Sequence, residues 1–340
     1  MSPASSLLPM AFEEFQKAVI GLGLEKFRAR QVWEWLFGKL VFDFAAMTDL
    51  PVAARQKLAE AFPAILPTDY QTWCGADGTV KLALPLADGE TVEAVGLPDD
   101  QTLTFCLSSQ VGCPVGCAFC RTGARGFTRN LTTEEIALQL MLLVKVLRAR
   151  PTNIVFMGMG EPFLNRPAVF GAIDLFTDPR QLGLATRRLT ISTAGVVEGI
   201  QELAERPGEV NLAVSLHSVD DWVRSLLVPL NRRYPLARLR AALVDYLART
   251  NRRVSFEMTL LKGVNDSLAD ALNLVQFCEG LLCHINLVRF NPFPGCAYKP
   301  APEAAEKEFR KVLKKAGLPV TVRRSRGADI LAACGQLAGK

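Results

Sequence analysis

The sequence predicts an α/β chain whose main body is a partial (β/α)6 barrel, preceded by a small helical accessory domain and a short β-hairpin segment. Three observations predict it. First, apolar strand-like runs recur at TLTFCL (102–107), NIVFMG (153–158), RLTIST (188–193), VNLAVSL (210–216), VSFEMTL (254–260) and INLVRF (285–290). Helical segments lie between them, among them 133–149, 236–249, 268–279 and 302–315. Strand–helix units in that order call for parallel strands joined by right-handed crossovers, and such a sheet curls toward a barrel. Second, residues 11–62 carry helical spacing: Phe27, Val32, Trp35 and Leu36 form one apolar stripe, and Ala54, Leu58 and Phe62 another. Third, Asp77-Gly78 and Asp88-Gly89 are hairpin-turn dipeptides beside the runs VKLALPL and TVEAVGL.

The expected boundaries follow these changes of pattern: a helical accessory domain over 1–66, a β-hairpin segment over 67–100, the barrel over 101–322, and a tail over 323–340. Pro63 and Pro67 mark the first linker. Thr132-Thr133-Glu134-Glu135 is a helix start, a hydroxyl cap with acids in the first turn. The most apolar stretch, near Ile136–Val146, is interrupted by Gln139 and Lys145 and reads as a buried helix. In parallel barrels the active site lies at the C-terminal ends of the strands.

Bulk composition bounds the function. The chain has 340 residues, 49% hydrophobic and 21% charged, enough for a large core and too apolar for disorder. No apolar run reaches the roughly 20 residues that span a bilayer, so no membrane partner is expected. The opening MSPASSLLPMAFEEF has neither a basic n-region nor an apolar h-region, and a cytoplasmic protein is expected. The formal net charge of +5 says little, but the arginines cluster: Arg121, Arg125 and Arg129; Arg187 and Arg188; Arg232 and Arg233; Arg252 and Arg253; Arg323, Arg324 and Arg326. The planar guanidinium binds phosphate oxygens in pairs, so nucleic acid competes evenly with ordinary solvated surface.

Nine cysteines, odd in number and unevenly spaced, do not form a secreted disulfide framework. Cys113-Pro-Val-Gly-Cys117-Ala-Phe-Cys120 is a C-x3-C-x2-C triplet after the first barrel strand. Three thiolates so spaced can hold three irons of a [4Fe-4S] cluster and leave the fourth iron open. An open iron can bind the amino and carboxylate groups of S-adenosylmethionine. A structural zinc site is the competing reading, but such sites are closed by four ligands, and no fourth Cys or His lies nearby. Gly112 and Gly116 let the loop wrap closely. Met157-Gly-Met-Gly160-Glu161-Pro162, Ser192, Ser215-Leu216-His217 and Asn291 end later strands. Each alone reads as a packing or capping residue; their shared position at one barrel face argues for ligands. Cys106, Cys334 and Glu93 alone read as a buried strand cysteine, an incidental tail cysteine and an exposed hairpin carboxylate.

Taken together, FRARQVWEWLF (27–37), MTDLP (47–51), SSQVGCPVGCAFCRTGARGFTRNLTTEEI (108–136), MGMGEP (157–162), ISTAG (191–195), SLH (215–217), GVND (263–266), NPFPG (291–295) and AACGQL (332–337) closely resemble the RlmN/Cfr family of radical-SAM adenine methyltransferases. The resemblance runs from about Phe12 to Gly339. It implies the radical-SAM partial barrel, a cluster on Cys113, Cys117 and Cys120, and S-adenosylmethionine on Gly160, Glu161, Ser192, Ser215, Leu216, His217 and Asn291. It implies that Cys334 first takes a methyl group by displacement, that Cys106 later attacks the Cys334 sulfur and releases product as a disulfide forms, and that Glu93 abstracts a proton. The implied substrate is carbon 2 of an adenosine in the peptidyl-transferase centre of 23S rRNA, with the adenosine next to the anticodon of tRNA as a further one. Carbon 8 of the same rRNA base, the antibiotic-resistance branch, is the alternative. The implied partners are RNA, bound in part by the helical domain, and a low-potential electron donor such as flavodoxin; the implied state is a monomer. Arg121 and Arg289 depart from the family pattern and are expected to tune RNA contact.

Overall fold

The computed structural model describes residue 7, residues 10–62 and residues 65–339; Pro63 lies outside the described residues. Helices α1 (Phe12–Gly21), α2 (Lys26–Trp33) and α3 (Val52–Ala61) form the helical domain. Its buried face is built from Phe15, Val19, Val32, Trp33, Leu36, Phe37 and Leu58. The stripe expected through Phe27 and Trp35 is out of phase. Phe27 is 54% exposed with the Arg28 guanidinium over its ring, whereas Trp33 is buried between the rings of Phe15 and Phe37. Positions 29, 32, 33, 36 and 37 are the true inner face, the last two within a π-helical turn at Glu34–Gly38.

The remainder forms one mixed sheet. Strands β1 (Gln71–Cys74), β2 (Val80–Pro85) and β3 (Thr91–Pro98) are antiparallel and pair onto β4 (Leu103–Cys106), the first parallel strand. The expected hairpin segment is therefore the antiparallel extension of the barrel sheet, joined to it through β3. A two-stranded ribbon of β5 (Gln110–Gly112) and β6 (Phe127–Asn130) carries the short helix α4 (Arg121–Arg125) at its tip. Then α5 (Thr133–Leu147), β7 (Asn153–Phe156), α6 (Arg166–Thr177), β8 (Leu189–Thr193), α7 (Val197–Glu205), β9 (Asn211–Ser215), α8 (Asp221–Leu227), α9 (Leu236–Thr250), β10 (Val254–Leu260), α10 (Leu268–Phe277), β11 (Cys283–Arg289), α11 (Glu303–Lys315) and β12 (Val320–Arg323) follow in turn.

The parallel strands run β4-β7-β8-β9-β10-β11-β12, one more than the six expected. The extra strand β12 ends at Arg323, inside the expected tail, so the boundary after 322 cuts a strand. β4 and β12 do not pair, so the sheet stays open. The gap is crossed by the segment after β12: Gly327 donates its N–H to Asp77 Oδ2 at 2.9 Å, and Asp329 Oδ2 accepts from the Ala76 N–H at 2.9 Å.

The parallel strands are apolar along most of their length because helices and lumen bury both faces. Helix α5 starts as expected, with a reciprocal capping box between Thr132 and Glu135. Gln139, the polar break in its apolar run, is fully buried and clamps Ser108, accepting from its N–H at 2.8 Å and donating to its carbonyl at 3.1 Å. That clamp fixes the chain where it leaves β4 for the cysteine loop.

Candidate active site

The three cysteines of the triplet sit on the loop between β5 and α4. Cys113 donates its N–H to the Gly126 carbonyl at 2.8 Å, and Cys120 donates to the Cys117 carbonyl at 3.1 Å. Val115 and Phe119 anchor the loop in a small apolar cluster with Ala194, Leu227, Val228, Leu261 and Phe290. Burial pushes the Cys113 thiol up to about 12 and the Cys117 thiol well above its ordinary range; Glu161 and the neighbouring cysteines push the same way. Buried thiols that repel one another as thiolates suit a polycationic group that draws off their protons. Among the described residues no three His, Cys, Asp or Glu side chains gather as the ligands of one ion. The three sulfurs instead share the wall of one cavity, an arrangement that fits a polynuclear cluster better than a closed zinc site.

The same cavity is lined by Gly160, Glu161, Ser192, Ser215, His217 and Asn291. Gly160 has φ of +101°, and a Cβ there would lie 2.6 Å from the Gln110 side chain, so the backbone passes close to the cavity only as glycine. Glu161 is 3% exposed, and its Oε2 accepts from the Ala194 N–H at 2.6 Å. Burial raises its pKa to about 7. The Ser192 and Ser215 hydroxyls lie 3.3 Å apart across β8 and β9. His217 is held in the left-handed region, φ +59°, where few non-glycine residues sit. Its Nδ1 accepts from the Thr259 N–H at 3.1 Å, which places the proton on Nε2. Burial, aided by the Arg224 charge, lowers its pKa to about 3, so the ring is neutral. Leu216 does not line the cavity: its side chain is wholly buried in the core, and only its backbone belongs to the strand-end network.

A second cavity adjoins the first. Cys106 lines it, and Cys334 lines both. Cys106 is buried, which pushes its thiol up to about 12, and Cys334 is its next largest electrostatic influence. The Cys334 segment is docked by many backbone contacts. Asn291 Nδ2 donates to the Cys334 carbonyl at 3.3 Å, Arg121 donates its N–H to the Gly335 carbonyl at 2.8 Å, and Thr122 Oγ1 donates to the Leu337 carbonyl at 2.7 Å. Arg125 donates to the carbonyls of Ala338 and Gly339. Arg121 thus spends its main-chain donor, and a 3.4 Å contact to the Gln336 carbonyl, on this segment, while Arg289 lines the first cavity. Glu93 is not the exposed carboxylate that its hairpin position implies. It is 6% exposed, ion-paired to Lys81 Nζ at 3.3 Å, and lines neither cavity.

The sequence reading missed Glu257 and Arg224, and took Arg323 only as one of an arginine cluster. Glu257, on β10, lines the first cavity, and its Oε1 accepts from Asn286 Nδ2 at 2.8 Å. A lone glutamate inside the apolar run VSFEMTL was the available signal. Arg224 is fully buried, donating to the carbonyls of Leu216 at 3.0 Å and Ala194 at 2.7 Å and to Asn231 Oδ1 at 2.6 Å. It ties together the ends of β8 and β9. Arg323, ending β12, lines both cavities. The arginine clusters divide by role. Arg129 pairs with Asp88 and Glu135, and Arg125 with Glu90. Among the described residues, Arg187, Arg253, Arg323 and Arg324 make no ion pair. Arg187, Arg323 and Arg324 line the second cavity, and Arg253 and Arg323 an adjoining one.

Comparison with known proteins agrees with this layout. Residues 107–275 match the radical SAM superfamily, and residues 5–63 match the ribosomal RNA large subunit methyltransferase N-terminal domain. A dual-specificity RNA methyltransferase RlmN of Halorhodospira halophila is 46% identical over 94% of this chain and 89% of its own. A probable dual-specificity RNA methyltransferase RlmN of Thermus thermophilus is 45% identical over 93% of this chain and 90% of its own. The crystal structure of a radical SAM methyltransferase from Sphaerobacter thermophilus superposes with a TM-score of 0.92 at 42% identity, covering 98% of each chain.

Proposed function

Since this chain belongs to the RlmN family of radical SAM methyltransferases, whose cofactors are a [4Fe-4S] cluster and S-adenosylmethionine, we propose that it methylates carbon 2 of an adenosine in the peptidyl-transferase centre of 23S rRNA and the adenosine next to the anticodon of tRNA. The observation that carries the proposal is the position of Cys334, the one cysteine besides Cys120 that lines both cavities. A methyl carrier must face the methyl source on one side and the acceptor base on the other.

Cys113, Cys117 and Cys120 would hold the cluster, which when bound supplies the electron that cleaves S-adenosylmethionine to a radical. Gly160, Glu161, Ser192, Ser215, His217 and Asn291 would hold S-adenosylmethionine, with the Leu216 backbone setting the turn. Glu161, in its ionised form, accepts from an ammonium; the neutral His217 offers Nε2–H. With S-adenosylmethionine bound, Cys334 would lose its thiol proton and take the sulfonium methyl onto its sulfur, the methyl–sulfonium bond breaking as S-adenosylhomocysteine leaves. This detour answers a chemical need, because carbon 2 of adenine is not nucleophilic. Cys106 is kept as a thiol by burial and gives up its proton before attacking the Cys334 sulfur; the bond from that sulfur to the transferred carbon breaks, its electron pair stays with the carbon, which takes a proton to become the product methyl, and the two cysteines end as a disulfide. Glu93 serves as the proton-abstracting base. The unpaired arginines bind phosphates of the RNA, the helical domain adds a second RNA contact, and a flavodoxin-like donor delivers electrons to a cytoplasmic monomer. Among the described residues no helix is long and apolar enough to cross a membrane.

Nothing favours carbon 8: both relatives named above carry the dual-specificity name. Mass spectrometry of adenosine from treated 23S rRNA and tRNA tests the reading. The 2-methyl product is expected in both, and a product carrying only the 8-methyl group would reject it. Cys334→Ala is expected to abolish turnover, and Cys106→Ala to accumulate a covalent protein–RNA adduct visible as a slow-migrating band. Undiminished turnover by Cys334→Ala would rule out the methyl-carrier route.

A further inference from the structure

Glu93 is where the assigned chemistry and the geometry pull apart. On β3 it lies two residues before Val95, and Val95 pairs with both Lys81 on β2 and Cys106 on β4. Directly paired residues share a face, and so do residues two apart, so Lys81, Glu93 and Cys106 lie on one face of the sheet. A base one register step from Cys106 is well placed for the reaction. Yet Glu93 lines neither cavity, because something already lies on it. Its Oε2 accepts the N–H of Ala338 at 2.7 Å and that of Gly339 at 3.1 Å, while Oε1 faces Lys81 Nζ at 3.3 Å. Both oxygens are occupied.

The docked segment is fitted to this place. Arg125 holds the carbonyls of Ala338 and Gly339 from the other side and pairs with Glu90. Gly339 has φ of +60°, and a Cβ there would run into the Thr91 carbonyl, so only glycine lets two consecutive N–H groups converge on one carboxylate oxygen. Cys334 lies four residues before Ala338 on the same segment, and Leu337 fills the wall of the second cavity between them.

We propose that Glu93 has a second role, as the anchor of the Cys334-bearing segment, and that anchoring and proton abstraction exclude one another. With Ala338 and Gly339 on the carboxylate, Cys334 is held at the junction of the cavities, the position in which it takes a methyl group. Once the acceptor base is joined to Cys334, residues 338–339 leave Glu93, and only then can either oxygen take a proton. Lys81 remains as counter-charge in both states. The alternation rests on the assignment of Cys334 as carrier and Glu93 as base.

Hydrogen exchange of the peptide spanning 331–339, measured on cluster-reconstituted enzyme, reads the anchor directly. Without RNA, the Ala338 and Gly339 amides are expected to be protected. Glu93→Ala and, independently, Gly339→Val should each cut that protection about tenfold, as for one charge-assisted hydrogen bond lost. Gly339→Val leaves the carboxylate in place, so its effect reports docking and not the base. In the RNA adduct trapped by Cys106→Ala, protection should be lost with Glu93 intact. Unchanged exchange in Glu93→Ala would overturn the anchor, and full protection in the trapped adduct would overturn the alternation. Turnover by Glu93→Ala at the wild-type rate would reject the base, and the alternation with it, whatever the exchange shows.

Discussion

Glu161 shows what burial asks of a residue in the first cavity. Its carboxyl is hydrogen-bonded to backbone N–H groups, yet desolvation outweighs them and raises its pKa from 4.5 to about 7. In the cofactor-free protein the proton is therefore bound more tightly when folded than when unfolded. The associated stability is fully present below about pH 4.5 and is lost as the pH rises through about 7, a change of roughly 3 kcal/mol. Thermal unfolding of cofactor-free protein between pH 5 and 8 should show this fall, and Glu161→Gln should flatten it. If Glu161 accepts from an ammonium as proposed, the same substitution is expected to weaken S-adenosylmethionine binding, measured by calorimetry. A slope unaltered in Glu161→Gln would assign the fall to other groups. The sequence made Glu161 visible through its MGMGEP surroundings, but not its proton affinity, which depends on what covers it. Glu93 is the sharper case. Its position in a hairpin reads as solvent-exposed, and it is buried because Ala338 and Gly339, far along the chain, fold back onto it.

At the scale of elements, strong local signals were legible and weak ones were not. The Thr132–Glu135 capping box, the hairpin turns and all six expected strands fall within about two residues of their expected limits, because caps, Asp-Gly turns and long apolar runs act locally. INLVRF gains Cys283 and His284 at its start. β12 was missed: VTVR is four residues long, an exposed edge with an arginine at its end, and only its pairing with β11 makes it a strand. In α2 the period was right and the phase wrong, since Phe27 and Trp33 are both aromatic and only packing against Phe15 selects between them. The capping box has a measurable share in the active site, because α5 carries Gln139 and Gln139 holds Ser108. Thr132→Ala is expected to lower stability by about 1 kcal/mol in urea denaturation, with the m-value unchanged. No change in midpoint would mean that Glu135, held by Arg129, caps the helix alone.

For the whole molecule, a net charge of +5 conveys less than where the unpaired charge lies. Arg187, Arg253, Arg323 and Arg324 come from loops and strand ends scattered over more than a hundred residues, and the parallel topology brings them together around the lumen. The sequence showed the clusters; which ones are neutralised, as Arg125 and Arg129 are, is decided by partners distant along the chain. If the unpaired group meets RNA phosphates, replacing Arg187 and Arg324 by Gln should weaken RNA binding at all sequences alike. It should also reduce the slope of log affinity against log salt by about one per contact removed, as read by fluorescence anisotropy across a salt series. An unaltered slope would place the phosphates elsewhere.

The gap left between β4 and β12 carries one more consequence. A closed parallel barrel fills its bore with side chains and meets its guest only at the rim. Here the wall has a slit, and what bridges it is a strap held by backbone N–H groups on the carboxylates of Asp77 and Asp329 rather than a continuation of the ladder. The enclosure need only be deep enough for a single base, and the bulk of the guest stays outside. If the guest is the RNA proposed above, such an enclosure is indifferent to the size of what stays outside, provided that one nucleotide can be turned inward.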